Sequence, residues 1–354
     1  MATCHVRHVR QWYRELTTRL HAPRLSGRGK AMLTIYESDG MNLTQRPQSG
    51  PLTDECLWID LLQPTPEETA RVEKELGIEI PTRAEMREIE PSSRFYLENS
   101  AYFMTAFIVY NIEAPAPQTS AVTFILAGKR LVTVRHAEPK AIPLFLQRVD
   151  KGDAACNEGS VIMIGLLEAL IHRMADLIER IQDEVDRLGQ GIFDVKGGQQ
   201  TRSRRYDVLL KGTGKAGDIT ARAEYSATSL SRMFHYYLQV ARERGDDSRT
   251  RQRIKAAQRD ISSLMDHARF LSARIGFLLD ATLGMISTEQ SQIIKLFSVM
   301  AVILLPPTLV ASIYGMNFKY MPELDWLLGY PWALILMFIA ALIPFLYFRR
   351  KGWL

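Results

Sequence analysis

Hydrophobic and polar positions change their rhythm three times along this chain. After residue 31 the rhythm is short. Met32–Gly40 (MLTIYESDG) and Leu57–Leu62 (LWIDLL) read as strands. Pro64-Thr65-Pro66, followed by Glu67 and Glu68, opens a helix that ends at Gly77, because proline and acids suit a first turn and glycine suits an end. Thr82 and Glu85 have capping-box spacing and predict a further helix start. Arg94–Glu98, Tyr102–Tyr110, Ala121–Leu126 and Arg130–Arg135 are four more strand candidates, the last two joined by a turn at Gly128-Lys129. Together these predict an α/β unit large enough to hold its own core.

From Glu158 the period becomes helical. Leu166, Leu167, Leu170, Met174, Leu177, Ile178 and Ile181 recur at three- and four-residue steps, and the helix is expected to fray at Gly189-Gln190-Gly191. Lys196–Gly217 is glycine-rich and basic, and the next helix is expected from about Ile219 to Glu243. The GTGK stretch, Gly212–Lys215, lacks the spacing of a phosphate-binding loop and follows no strand. Tyr225, Phe234, His235, Tyr236 and Tyr237 lie at helical spacing and read as core, with His235 needing no metal. Gly245–Ser248 is a break and a helix cap. No proline then occurs until Pro306, while Ile254, Ile261, Leu264, Leu271, Ile275, Leu278, Leu279 and Leu283 keep a helical repeat. One unbroken helix of some 60 residues, about 90 Å, is the simplest reading. An apolar stripe on so long a helix needs neighbours, either from its own chain or from copies of it, which is a first argument for a homo-oligomer.

The third rhythm is no charge at all. Leu296–Phe318 and Trp326–Phe348 are each 23 uncharged residues. As helices they rise about 35 Å, enough to cross a hydrocarbon core of about 30 Å. Arg349, Arg350 and Lys351 follow the second span and should face the cytoplasm, which places the N-terminal body on the same side. Tyr330, Trp332, Tyr347 and Trp353 stand near the span ends, where amphipathic rings favour the interface. The expected organisation is a basic, flexible extension (1–31), an α/β cytoplasmic domain (32–157), a helical region (158–247), a stalk helix (248–295), a first, pore-lining span (296–316), an external loop (317–325), a second span (326–348) and a basic cytoplasmic tail (349–354).

Composition changes the picture little. The net charge of +5 and pI near 9.0 would suit nucleic acid or anionic lipid, but much of the excess sits in residues 1–31 and Arg349–Lys351, which argues against nucleic acid. Three scattered cysteines with no CxxC argue against a disulfide framework or zinc knuckle and for a reducing compartment. The first 31 residues hold no apolar run long enough for a secretory signal. No nucleophile–base constellation is visible, so an enzyme is not expected, and neither is a cofactor.

The first span carries the candidate chemistry. One hairpin cannot enclose a hydrated path, so conduction would need several first spans around an axis. Gly315-Met316-Asn317 ends that span. Glycine lets backbone carbonyls turn inward and asparagine adds side-chain carbonyls. Repeated round a ring, they give neutral oxygens suited to an ion such as Mg²⁺ that keeps its water. Glu323 and Asp325 in the following loop would concentrate cations at the mouth. Leu305, Thr308 and Ser312 share one helical face as a narrow pore lining, although small and polar residues also serve helix packing. Pro306-Pro307 should bend or loosen the helix.

At these residues the chain resembles the CorA family of magnesium and cobalt channels. The resemblance rests on PPTLVASIYGMNF (Pro306–Phe318), MPEL (Met321–Leu324), GYPWA (Gly329–Ala333) and YFRRKGWL (Tyr347–Leu354), and extends more weakly back to Trp58-Ile59-Asp60 and Arg94-Phe95. It implies a funnel-shaped homopentamer in a bacterial inner membrane that passes Mg²⁺ with Co²⁺ and Ni²⁺, driven by membrane potential and closed by cytoplasmic Mg²⁺ at carboxylates between subunits. It implies a selectivity ring at Gly315, Met316 and Asn317, and a pore-side acid at Asp280. Two departures stand out: Ser291 occupies a position where some members have asparagine, and the basic run Arg202–Lys215 stands where many have an acidic hairpin. A zinc transporter of the wider superfamily and a membrane-anchored cytoplasmic sensor or enzyme are the competing readings.

Overall fold

The computed structural model describes residues 32–38, 42–46, 50, 52–88, 90–152, 156–193, 199–317, 319, 321–322 and 326–353. The extension 1–31 and the loop residues Glu323 and Asp325 therefore lie outside the described residues.

The α/β part is a seven-stranded sheet. Its strands are β1 (Met32–Ser38), β2 (Leu43–Arg46), β3 (Cys56–Leu62), β4 (Phe95–Glu98), β5 (Ala101–Tyr110), β6 (Gln118–Ala127) and β7 (Arg130–Arg135), in spatial order β2-β1-β3-β7-β6-β5-β4. Every neighbouring pair is antiparallel except β3 and β7. Parallel pairing needs a long crossover, and everything from α1 (Pro66–Leu76) to β6 lies between these two strands. α1 starts as its sequence requires. Thr65 caps it, Pro66 occupies the first turn, Glu68 closes the reciprocal capping box, and Gly77 ends it with φ of 66°.

Burial follows the pleat. Leu33, Ile35, Ile59, Leu61, Val132, Val134, Ile125 and Phe103 form one core with Val72 of α1 and with Ile78, Ile80 and Met86. The alternate positions of β1, β3 and β7 build a polar network on the opposite face. Asp60 is 2% exposed and accepts two hydrogen bonds from Arg135 Nε (3.0 and 3.1 Å), one from Arg135 Nη2 (2.7 Å) and one from the Thr133 hydroxyl (2.6 Å). Trp58 Nε1 donates to Thr133 Oγ1 (3.0 Å), and Arg135 Nη1 donates to the Ala137 carbonyl (2.9 Å). Tyr36 stacks on Trp58, with ring centroids 4.4 Å apart. Burial, reinforced by the Asp60 carboxylate, pushes the Tyr36 phenol up to about 12, against a smaller opposing pull from Arg135. The phenol is thus neutral at physiological pH. Trp58 also meets Phe145 of α2 (Ala141–Asp150) edge-on at 6.1 Å.

Two long helices follow, α3 (Gly159–Phe193) and α4 (Gln199–Glu243). The expected fray at Gly189–Gly191 does not occur, and α4 begins some twenty residues before Ile219. Glycines that cost about 1 kcal/mol each in an isolated helix are here close approaches. A Cβ at Gly212 would lie 2.8 Å from a Leu188 methyl, and one at Gly191 would lie 2.8 Å from a Leu209 methyl. GTGK is accordingly a stretch of helix. Phe234 and Tyr237 are core as expected, but His235 and Tyr225 are exposed. The β5 edge beyond β4 is satisfied by α4: Ser229 Oγ accepts from the Phe107 N–H and Ser226 Oγ donates to the Phe107 carbonyl, both at 2.9 Å. Thr82 and Glu85 do form their capping contacts, yet only a three-residue 3-10 turn, Glu85–Arg87, follows. Met86 is its sole buried residue, so no apolar repeat sustains it.

The long helix is unbroken: α5 runs Ser248–Tyr314, through Pro306 and Pro307. The last helix, α6, is Gly329–Arg350.

Candidate functional site

The chain divides into two compact units, Met1–Gln190 with Gly212–Gly276, and Gly191–Lys211 with Phe277–Leu354. The candidate site belongs wholly to the second.

Both apolar segments are long enough to span a bilayer, and only 6% of each apolar window is buried within the chain. A core helix of a soluble protein would be mostly covered. These are not covered, so their surface waits for lipid or for other copies.

The candidate residues of α5 are open. Asp280, Ser291, Leu305, Thr308 and Ser312 are all exposed. At about 100° per residue, Asp280, Ser291, Leu305 and Ser312 share an arc of about 60°, which Thr308 widens to about 100°. Ser298 lies on the same line and is exposed as well. The sequence reading missed it. Its signal is a seven-residue step, Ser291–Ser298–Leu305–Ser312, that a search for three- and four-residue steps beginning at Leu305 does not reach. On other sides of the same helix Thr282 and Val299 are buried, at 0% and 1% exposure. Val299 apart, the apolar part of α5 is exposed on every side, and the line through Ser291, Ser298, Leu305 and Ser312 is one face of it. A strict seven-residue step keeps that face aligned between supercoiled copies.

Three hydroxyls on this face have their hydrogens committed. Ser291 Oγ donates to the Ser287 carbonyl (2.9 Å), Ser298 Oγ to Ile294 (2.8 Å) and Thr308 Oγ1 to Leu304 (2.7 Å). Each oxygen therefore presents lone pairs outward as an acceptor. Waters bound to a divalent cation are strong donors, so a row of neutral acceptors can meet a hydrated ion without stripping it. Pro306 and Pro307 have no N–H to give, which leaves the carbonyls of Val302 and Ile303 without their usual helical donors.

At the end of α5 the helix closes with Gly315 N–H donating to the Ala311 carbonyl (3.0 Å) and Met316 N–H to Ile313 (3.2 Å). Gly315, Met316 and Asn317 are exposed, and among the described residues the Asn317 amide has no hydrogen-bond partner. A Cβ at Gly315 would stand 3.1 Å from the Ala311 carbonyl oxygen, so glycine is the residue that lets this carbonyl approach the turn closely. Among the described residues of one chain, no group of three or more His, Cys, Asp or Glu side chains is placed to hold a metal ion.

These features define a class: a membrane protein with an α/β domain, one long helix that continues into the first apolar segment, and a second apolar helix after a short loop. The CorA-like Mg²⁺ transporter protein family matches residues 53–350. The magnesium transport protein CorA of Escherichia coli K12 is 35% identical over 325 residues, covering 91% of this chain and all of that protein. The CorA of Salmonella typhimurium LT2 matches to the same extent. The solved CorA magnesium transporter of Methanocaldococcus jannaschii shares the fold with a TM-score of 0.74 at 17% identity, over 92% of this chain and all of that one. The chain belongs to the CorA family.

Proposed function

We propose that this chain is a passive Mg²⁺ channel of the bacterial inner membrane, built from five copies, that also admits Co²⁺ and Ni²⁺ and is closed by Mg²⁺ on the cytoplasmic side. The observation that carries the reading is the alignment on one arc of unbroken α5 of Asp280, Ser291, Ser298, Leu305, Thr308 and Ser312, leading to the exposed Gly315-Met316-Asn317 end. Curated relatives bearing the name magnesium transport protein support the choice of ion.

The mechanism follows from the chemistry of that face. Five copies set their open faces toward one axis, as the family resemblance implies. Asn317 carbonyls and backbone oxygens at Gly315 and Met316 receive hydrogen bonds from the waters of a hydrated cation. Neutral oxygens hold the ion weakly enough to release it. Glu323 and Asp325, one set per copy, raise cation concentration at the mouth. Below the ring, the hydroxyls of Ser312, Thr308, Ser298 and Ser291 alternate with Leu305 and prevent strong binding along the path. Asp280 restores a carboxylate at the cytoplasmic end. Each divalent ion gains about 4.6 kcal/mol per 100 mV, enough to drive uptake without a nucleotide. In this scheme the segments keep the assignments 1–31, 32–157, 158–247, 248–295, 296–316, 317–325, 326–348 and 349–354, with both termini in the cytoplasm. Internal Mg²⁺ binds the closed arrangement better and shifts the population toward it.

Ion flux into proteoliposomes containing the purified chain tests the proposal. The expected result is potential-driven Mg²⁺ entry that exceeds Zn²⁺ entry and falls when Mg²⁺ is loaded inside. Zn²⁺ entry exceeding Mg²⁺ entry would favour a zinc transporter, and no flux of either ion would leave the hairpin as an anchor.

A further inference from the structure

The end of the hairpin opposite Asn317 gathers cations from both helices onto one aromatic frame. Lys295, one residue before the first uncharged stretch, places its Nζ 4.8 Å from the Trp353 ring centroid. Lys351, just past α6, places its Nζ 6.0 Å from the same ring and 5.2 Å from Tyr347. Trp353 is itself stacked on Phe348, with centroids 5.4 Å apart and planes 23° from parallel. Arg349 and Arg350 are exposed beside them. None of the four cations forms an ion pair with a described residue. Acidic side chains are sparse along these segments: between Glu289 and Glu323 the only charged side chains are Lys295 and Lys319, and after Asp325 the only ones in the given sequence are Arg349, Arg350 and Lys351.

Two ammonium groups on one indole repel each other, and two guanidinium groups add to the same potential. An anion placed among them would relieve that repulsion. The exposed apolar surface that adjoins the cluster, Leu296 on α5 and Leu346 on α6, is of the kind an acyl chain covers. Basic pockets between transmembrane helices at this level bind anionic headgroups. Aromatic rings that carry cations at the interface hold the donors at headgroup depth.

We infer that Lys295, Arg349, Arg350 and Lys351, framed by Trp353 and Tyr347, form a seat for the phosphodiester headgroup of an anionic phospholipid. The seat holds each copy's two helices together at the cytoplasmic boundary of the bilayer. Lys295 and Lys351 contact the phosphate from both helices, and the Trp353 indole N–H is a further donor to it. The inference rests on the hairpin being inserted in a membrane. Its readout is bound lipid rather than ion flux, so its failure and the failure of the channel reading are separable.

The test uses the full chain reconstituted in nanodiscs of phosphatidylcholine containing a minor fraction of phosphatidylglycerol, with bound lipid counted by native mass spectrometry. Wild type is expected to retain phosphatidylglycerol well above its share of the bilayer. The Lys295→Gln/Lys351→Gln variant is expected to lose about fivefold in retention per charge removed, more than tenfold in all. Lys295→Arg/Lys351→Arg, which keeps charge and reach, should retain it and so shows that the loss is not one of folding. Glycerophosphate added in solution should not displace the lipid. Retention at the bilayer's own ratio in wild type, equal retention in the Gln variant, or displacement by glycerophosphate would each overturn the assignment.

Discussion

Asn317→Ala is expected to cut Mg²⁺ flux by about a hundredfold or more while leaving the assembly intact. In the proposed five-copy ring each carbonyl removed would forfeit about 1 kcal/mol of hydrogen bonding, and the five together several kcal/mol, where each 1.4 kcal/mol is tenfold. The side chain is exposed, and among the described residues of its own chain it has no partner, so its removal leaves nothing behind unsatisfied. Flux assays on proteoliposomes, paired with sizing of the solubilised assembly, check both halves of the statement. An assembled Asn317→Ala protein with wild-type flux would remove the ring from the mechanism.

The largest expected loss of stability is at Asp60→Ala. The Asp60–Arg135 pair is buried, with side chains 3% and 7% exposed and a shortest contact of 2.7 Å. Deleting the carboxylate strands a guanidinium in the sheet's interior and takes an acceptor from Thr133, whose hydroxyl also holds Trp58 Nε1. Breaking one side of such a pair costs about 3–5 kcal/mol. Replacing both members, Asp60→Leu with Arg135→Met, removes the stranded charge and should return most of the loss. Thermal unfolding of the full chain in detergent measures both. Equal melting of Asp60→Ala and wild type would show that the pair carries no weight.

Sequence reading reaches different depths in different places. β1, β3 and β5 to β7 are legible because apolar and β-branched runs are bounded by turn residues. α1 is legible because Thr65, Pro66, Glu68 and Gly77 each act locally. The continuity of α5 is legible from the lack of proline over most of its length. β2 is not legible: Leu43–Arg46 has one buried residue, and its strand identity comes from pairing with β1. The early start of α4 is not legible either, since Gly212 looks like a breaker until a neighbouring leucine is known to occupy the space above it. Thr82 and Glu85 mislead for the opposite reason, a good cap with no apolar face behind it.

At the candidate site the Gly-Met-Asn end is visible as three unusual residues, whereas Ser298 reads as an ordinary small residue in an apolar run. Its seven-residue step from Ser291 and to Leu305 and Ser312 is what sets it on the proposed lining face, because exposure is shared by nearly the whole span. The proposed carboxylate sites between copies would leave no local pattern, since residues that meet only across an interface have no fixed spacing in the chain.

The most direct measurement is an image of the purified, lipid-embedded assembly at a resolution that places side chains. The account predicts five copies around one axis, with Asn317 amides converging where the first span ends and Ser291, Ser298, Leu305 and Ser312 turned toward that axis below them. Copies whose Asn317 residues stand apart, or whose α5 seam faces the acyl chains, would contradict it.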